Sequence, residues 1–344
     1  MTRIAVVGAE LIGRRHVELA AEVEGLDVSC IVDPNEDARV FAKARGLAWR
    51  SDLREALSED LADGYIIATP NQMHVEAGLA CVSAGRPAMI EKPIADRAEE
   101  AARLVAAAEA AGVPLLIGHH RRHNPVIDAA KARIAAGEIG RVVAVNALCW
   151  LYKPDDYFDV EWRTQPGAGP VFINLIHDVD LMRWLVGEIV SVQALEMSAA
   201  RGHAVEDTAA ALLRFETGAV GTISVSDSVV APWSWEMTAA ENPAYPESGQ
   251  SCYSIGGDRS AMEIPSGAVW RQDEPRDWWR PIARAAHEVE AADPLVRQLA
   301  HFWDVVEGDA APLVPGAEGL QSLRVIEAIK EAAATGGLVE VAAR

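Results

Sequence analysis

Two side chains are of a type and in a setting that could move a proton or steady a negative oxygen. Lys92 follows the apolar run Pro87 to Ile90, inside Glu91-Lys92-Pro93. A lysine at the end of an interior strand is held in an ion pair or lines a polar site, because an ammonium is almost never buried without a partner. His177 lies in a helix-forming tract, Val171 to Val186, spaced by three from Asn174 and from Asp180 so that the three share one side. Phe172, Leu175, Ile176, Val179 and Leu181 make the rest of that tract apolar. On residue type alone a satisfied core histidine is the commoner reading of such a pattern, and an acid–base group the sharper one.

A third constellation concerns a cofactor. Arg3-Ile4-Ala5-Val6-Val7 runs into Gly8, Leu11-Ile12-Gly13 opens a helical tract to about Glu24, and a second apolar run from Val28 closes on Asp33. Strand, glycine turn, helix, strand, acid is the order of a dinucleotide-binding βαβ unit. Gly8 and Gly13 fit its first and third glycines, and the free N–H groups around Glu10, Leu11 and Ile12 can receive a pyrophosphate. Asp33 can accept hydrogen bonds from ribose hydroxyls and would repel a 2′-phosphate, which favours NAD over NADP, with Arg39 keeping NADP as the alternative. The middle glycine position holds Glu10. A carboxylate about 4 Å from a phosphate would cost roughly 4 kcal/mol at an effective dielectric near 20, so Glu10 is expected to face solvent and offer only its backbone N–H.

The elements that must position these groups alternate strand and helix. Beyond Asp33 come helical tracts at Asn35 to Arg45 and from Asp52, then the strand Gly64 to Ala68. Thr69-Pro70-Asn71-Gln72-Met73-His74 stands at its carboxyl end, where open α/β sheets bind ligands; Asn71 is expected to cap the next helix and His74 to fall in its first turn. The strand Leu115 to Gly118 brings His119-His120-Arg121-Arg122 to the same edge. We expect an α/β protein with a doubly wound domain over residues 1–122 and a second α/β domain over 123–344. In the second, a strand from Arg141 to Trp150 leads to a loop, Leu151 to Gly169, holding Tyr152, Lys153, Tyr157, Trp162 and Arg163, a candidate lid. Alternating runs at Val190 to Met197, Thr208 to Phe215 and Ala219 to Val225 predict an antiparallel meander. Trp233 and Trp235 follow, as stacking groups for a ring or as packing.

Composition narrows the class. The 344 residues are 50% hydrophobic and carry a formal charge of −20, which suits a two-domain globular protein and excludes a nucleic-acid phosphate partner. Cys30, Cys81, Cys149 and Cys252 are scattered without pairing or metal-ligand spacing, which predicts a reducing, cytoplasmic setting and no metal. No long apolar span suggests a membrane partner.

With these residues in hand, the chain resembles the Gfo/Idh/MocA oxidoreductases, named for glucose-fructose oxidoreductase and inositol dehydrogenase. The resemblance rests on the turn Gly8 to Gly13 with its trailing His16, on Thr69-Pro70-Asn71-x-x-His74, and above all on Glu91-Lys92-Pro93, in that order. It implies a Rossmann domain followed by a large open-faced, mostly antiparallel sheet that packs on a second subunit, giving a homodimer or homotetramer. It also implies NAD held by Gly8, Glu10, Leu11, Ile12, Asp33, Thr69, Asn71, His74, Glu91, Lys92, His120, Trp162 and Arg163. The Trp162-Arg163 pair before Gly167-Ala168-Gly169 looks like the pair that touches the cofactor in the family. The implied reaction is hydride transfer from a secondary alcohol of a small polyhydroxylated ring, a sugar or cyclitol, with Lys92 and His177 as acid–base pair and Tyr152, Arg163 and Asn174 on the substrate. The family pattern has an acid four residues before the histidine and an Asp three after it. Asp180 is kept, Ile173 stands where the first acid would be, and Asn174 is left to bind substrate or orient the imidazole. Two alternatives are a non-catalytic nucleotide- or sugar-sensing protein on the same fold, and a dehydrogenase of a carboxylated cyclic diol paired with Arg163, Arg121 or Lys153.

Overall fold

A computed structural model describes residues 1–343 of the chain. Its first half is set by short, uninterrupted apolar runs, the pattern of strands covered on both faces. These are β1 (Thr2–Val7), α1 (Leu11–Ala20), β2 (Leu26–Val32), α2 (Glu36–Ala44), β3 (Ala48–Arg50), α3 (Leu53–Ser58), β4 (Gly64–Ile67), α4 (His74–Ser83), β5 (Ala88–Ile90), α5 (Ala98–Ala111) and β6 (Leu115–Ile117). All the strands are parallel, in the order β3-β2-β1-β4-β5-β6. The order reverses between β1 and β4, and the crevice at the carboxyl ends of those strands is where such sheets take nucleotides.

The rest comprises α6 (Pro125–Ala135), β7 (Val142–Trp150), α7 (Pro170–Ile173), α8 (Leu175–Val186), β8 (Ile189–Met197), β9 (Thr208–Phe215), β10 (Val220–Ser226), α9 (Trp235–Thr238), β11 (Tyr253–Gly257), β12 (Ser260–Ile264), β13 (Val269–Arg271), β14 (Ala283–Ala285), α10 (Pro294–Glu307), α11 (Gly316–Thr335) and β15 (Val339–Glu340). Its nine strands form one mixed sheet, β14-β13-β12-β11-β7-β10-β9-β8-β15, in which the predicted meander β8-β9-β10 appears and only β7 and β10 run parallel. Residues of α8 and the second half of α11, among them Ile176, Val179, Met182, Ile326 and Ile329, bury one face against Val192, Leu213 and Ile223. The other face exposes the alternate positions, with Leu195 74% and Leu212 55% accessible.

Two expectations need correction. The chain divides into one compact unit of residues 1–123 with 293–323, and another of 124–292 with 324–343, so 123–344 is not one continuous domain. The returning segment is held by packing: Val306 and Phe302 of α10 sit where a side chain at Gly64 would be, and Ile117 faces Gly319. The apolar stripe of α10 is legible in the sequence, but periodicity does not say which sheet it covers. The predicted helix over Val171 to Val186 is two helices, because Asn174, at φ −102° and ψ −54°, separates α7 from α8. Among the described residues no helix is long and apolar enough to cross a membrane.

Candidate active site

The glycine turn is dictated by crowding at the end of β1. Gly8 has φ +91°, and a Cβ there would lie 2.6 Å from the carbonyl oxygen of Ala68; one on Gly13 would lie 1.9 Å from that of Gly8. Only glycine fits either position. The turn is tied down by Asp33, whose two carboxylate oxygens accept the N–H groups of Ala9 and Asn35, each at 2.8 Å. Each oxygen keeps a further lone pair for a ribose hydroxyl. Glu10 is exposed and makes no capping bond, in the solvent-facing pose expected for it. Leu11 is also exposed, and Ile12 half-buried. Arg39 is committed to Glu36 through its Nε at 2.8 Å. The Thr69 hydroxyl, at the end of β4, is a buried group that makes no hydrogen bond among the described residues.

Below Lys92 the sequence placed a carboxylate, and the structure gives it a partner. Glu91 lies just past β5 and its Oε1 is 2.7 Å from Nε2 of His16, a fully buried residue of α1. Its Oε2 is 3.3 Å from the Lys92 backbone N–H, and Gly118 is close enough that a Cβ would lie 3.0 Å from that oxygen. Burial pushes the Glu91 carboxyl upward, but the hydrogen bond from His16 and the positive charges of His16, Lys92 and His120 outweigh it, leaving it below the usual carboxylate range. The signal in the sequence was His16, three residues past Gly13, whose role spacing alone did not reveal.

Several site expectations change. His74 opens α4 as predicted, but it is fully buried, with Nδ1 2.8 Å from the Pro93 carbonyl and Nε2 2.8 Å from that of Thr69. It ties the Thr69 loop to the Lys92-Pro93 loop and presents no surface to a nucleotide; burial lowers its pKa against those two carbonyls. Asn71 does not cap α4; it starts a 3₁₀ turn, Asn71–Met73, and Met73 is the N-cap. Glu91 is likewise engaged with His16 beneath the surface. His120 is half-buried in the turn after β6, while Arg121 and Arg122 are buried, the latter on Glu318 at 2.8 Å.

In the other unit, His177 sits in the first turn of α8, its N–H 3.1 Å from the Asn174 carbonyl, with its side chain largely buried. The Asn174 Oδ1 is buried and makes no hydrogen bond among the described residues. Asp178 accepts the Tyr253 hydroxyl, and Asp180 faces Arg183 at 4.0 Å, which itself grips Glu188 with two bonds of 2.8 and 2.9 Å. In the loop, Trp162 is exposed, Arg163 lies 4.2 Å over the Tyr157 ring and bonds the Tyr157 carbonyl, and Tyr152 is exposed with Arg201 5.5 Å from its ring. Trp235 is a core group, fully buried, stacked on Tyr253 and bonded to Glu241, so it is not available to stack on a substrate.

Comparison with known proteins places this geometry in a lineage. Residues 2–119 match a family model described as an oxidoreductase family with an NAD-binding Rossmann fold, and residues 127–242 match one described as the GFO/IDH/MocA C-terminal domain. The chain belongs to the Gfo/Idh/MocA oxidoreductases. Among its relatives, scyllo-inositol 2-dehydrogenase (NAD(+)) of Bacillus subtilis is 30% identical over 65% of this chain and 67% of its own length. A 1,5-anhydro-D-fructose reductase of Ensifer adhaerens is 27% identical over 99% of both chains. The solved WlbA dehydrogenase of Bordetella pertussis, in complex with NADH and UDP-GlcNAcA, superposes with a TM-score of 0.79 at 27% identity, covering 100% of this chain and 99% of that one. As a Gfo/Idh/MocA protein the chain takes NAD, and its own residues fit that cofactor: the turn that no Cβ can enter, Asp33 with free lone pairs, and the orphaned Thr69 hydroxyl.

Proposed function

We propose that this chain is an NAD-dependent dehydrogenase of a secondary alcohol on a sugar, cyclitol or related polyhydroxylated ring, with Lys92 and His177 acting on one substrate hydroxyl. Bound NAD supplies the hydride acceptor. His177 takes the hydroxyl proton on an imidazole nitrogen, and Lys92 donates a hydrogen bond to the same oxygen and steadies its negative charge as the carbonyl forms. The observation that carries this reading is the support under Lys92: a buried carboxylate fixed by His16 on the nucleotide helix, which is an expensive arrangement to maintain for an ordinary surface lysine. The relatives named for cyclic polyols and anhydrosugars support the substrate class. Trp162 and Arg163 bear on the nicotinamide side, and Tyr152, Arg163 and Asn174 on the substrate.

The test is NAD reduction across a panel of sugars, cyclitols and cyclic diols, with Lys92→Ala and His177→Ala each expected to lose about 10²-fold or more in kcat while NADH affinity holds. Near-normal turnover in either variant removes that residue from the mechanism; tight NADH binding with no turnover on any polyol favours a sensing role. We further propose a homo-oligomer built on the open sheet face, whose exposed Leu195, Met197, Leu212 and Val220 form an apolar surface that a second copy covers. Four buried cysteines that form no disulfide among the described residues suit the reducing, cytoplasmic setting we propose.

A further inference from the structure

The loop that leaves β7 holds a lysine in a costly position. Leu151 and Lys153 donate their N–H groups to the carbonyls of Ser226 and Asp227 at the end of β10, both at 2.9 Å, which draws the Lys153 side chain inward until it is 7% exposed. Its ammonium makes no hydrogen bond among the described residues, and its ion pair, with Asp227 Oδ2, is long at 4.0 Å. Asp227 is already shared: its Oδ1 accepts from Arg201 Nε at 2.8 Å and from the Ser228 hydroxyl at 3.2 Å. Asp207, next along the same edge, is engaged by the N–H groups of Ala200 and Arg201 and by the Thr208 hydroxyl. Glu236 is the other acid whose charge bears on Lys153, yet burial prevails and holds the lysine pKa below its ordinary value. A second cation stands close by. The Lys153 ammonium lies 5.0 Å and the Arg163 guanidinium 4.2 Å from the same Tyr157 ring, and the Arg163 Nε is also buried without a hydrogen bond among the described residues.

This cationic group stands at the sheet end that carries His177. The Asp227 N–H bonds the Asp207 carbonyl at 3.0 Å, and the neighbouring Glu206 accepts the Val171 N–H of α7 at 3.1 Å; α7 leads through Asn174 into the His177 turn. A buried ammonium with an incomplete shell costs several kcal/mol unless a partner arrives. In a chain of net charge −20, a buried ammonium and a guanidinium that share one aromatic ring and each keep a nitrogen without a hydrogen bond among the described residues favour an anionic partner.

We propose that Lys153, with Arg163 as second cation, receives an anionic substituent, a carboxylate or a phosphate, carried by the ring whose hydroxyl is oxidised. This rests on the dehydrogenase reading above and narrows its substrate class to acidic polyols. The test compares neutral polyols with their acids and phosphates: glucose, galactose and myo-inositol against glucuronate, galacturonate, glucose 6-phosphate and inositol monophosphate. NAD reduction and thermal shift with NADH present are read at fixed ionic strength. A charged member is expected to exceed its neutral parent in kcat/KM, or in the affinity obtained from a thermal-shift titration, by roughly ten- to hundred-fold, the scale of one charged hydrogen bond. The carboxylate and phosphate arms decide which anion it is. Lys153→Met is expected to reduce the ratio of charged to neutral at least tenfold, and Lys153→Arg to restore most of it. If Lys153→Met does not fold, protection of Lys153 from reductive methylation in the wild type, by the anions and not by their neutral parents, gives the same answer. Equal preference for charged and neutral members, or a ratio unchanged in Lys153→Met, overturns the proposal. Turnover of neutral polyols alone sinks this inference and leaves the dehydrogenase; anion-selective binding without any NAD reduction does the reverse.

Discussion

His16→Ala removes the hydrogen bond that the His16 imidazole gives the buried Glu91 carboxylate, a loss whose sign and size both follow from that burial. A hydrogen bond to a charged group is worth about 1.5–3 kcal/mol, and stranding a buried charge raises the loss toward about 3–5 kcal/mol. At about 2–4 °C per kcal/mol for a chain of this class, the expected drop in Tm at pH 7 is on the order of 10 °C. The pH dependence separates this from simple cavity formation. In the wild type the Glu91 pKa is depressed, so its contribution is present above the ordinary carboxylate value and is lost as pH falls through the lowered folded value. Without His16, burial is the largest remaining influence and pushes the pKa up, so the carboxylate becomes a liability at neutral pH that protonation relieves. The Tm gap between wild type and variant should therefore be widest near pH 7 and narrow toward pH 4, and His16→Gln, which keeps a donor, should close part of it. Because Lys92 follows directly, kcat should fall further than NADH affinity. A Tm gap that is the same at pH 4 and pH 7 refutes the reasoning.

Three other outcomes are expected. Burial, together with the charges of His301, His120, Arg297 and Arg122, holds His123 down at about 3, so the unfolded chain binds the extra proton between that value and about 6.5; stability is full above the upper value and lost as pH falls, by about 2 kcal/mol at pH 5. His123→Gln should flatten the fall in Tm between pH 7 and pH 5, and an unchanged slope counts against it. Gly8→Ala forces a methyl to within 2.6 Å of a backbone oxygen at a positive φ, so NADH titration should weaken more than tenfold; wild-type affinity would mean the turn is not the nucleotide site. Leu212→Lys with Leu195→Glu should convert the proposed oligomer to monomer by light scattering, and a wild type that is already monomeric refutes the sheet-face assembly.

What the sequence disclosed follows from locality. The parallel sheet was legible because strands buried on both faces leave continuous apolar runs, and the nucleotide turn because Gly8, Gly13 and Asp33 sit at fixed offsets. The relations that crossed the chain were not. His16 and Glu91 are 75 residues apart and Lys153 and Asp227 are brought together only by the parallel pairing of β7 with β10, a register that neither strand specifies alone. The break at Asn174 was hidden for another reason: every residue from Val171 to Val186 tolerates a helix, and the interruption is set by where α7 and α8 must each pack. His74 was legible as the residue that opens α4, but its two carbonyl partners depend on loops from different strands.

Ile173, where the family pattern has an acid, changes what can orient the imidazole of His177, the proton acceptor we propose. The acids that α8 does carry are engaged elsewhere: Asp178 accepts the Tyr253 hydroxyl that anchors the helix to β11, and Asp180 shares the buried Arg183 with Glu188. Neither is a ready substitute for a carboxylate one turn before His177. Asn174 is placed where α7 ends, in the turn that delivers His177, and its buried Oδ1 makes no hydrogen bond among the described residues. A neutral acceptor there can hold a substrate hydroxyl or an imidazole N–H without adding negative charge, whereas an aspartate would have repelled an anionic substrate. If Lys153 and His177 serve one site, as we propose, Ile173 and the Lys153 ammonium act in one direction, each suiting a substrate that brings its own negative charge.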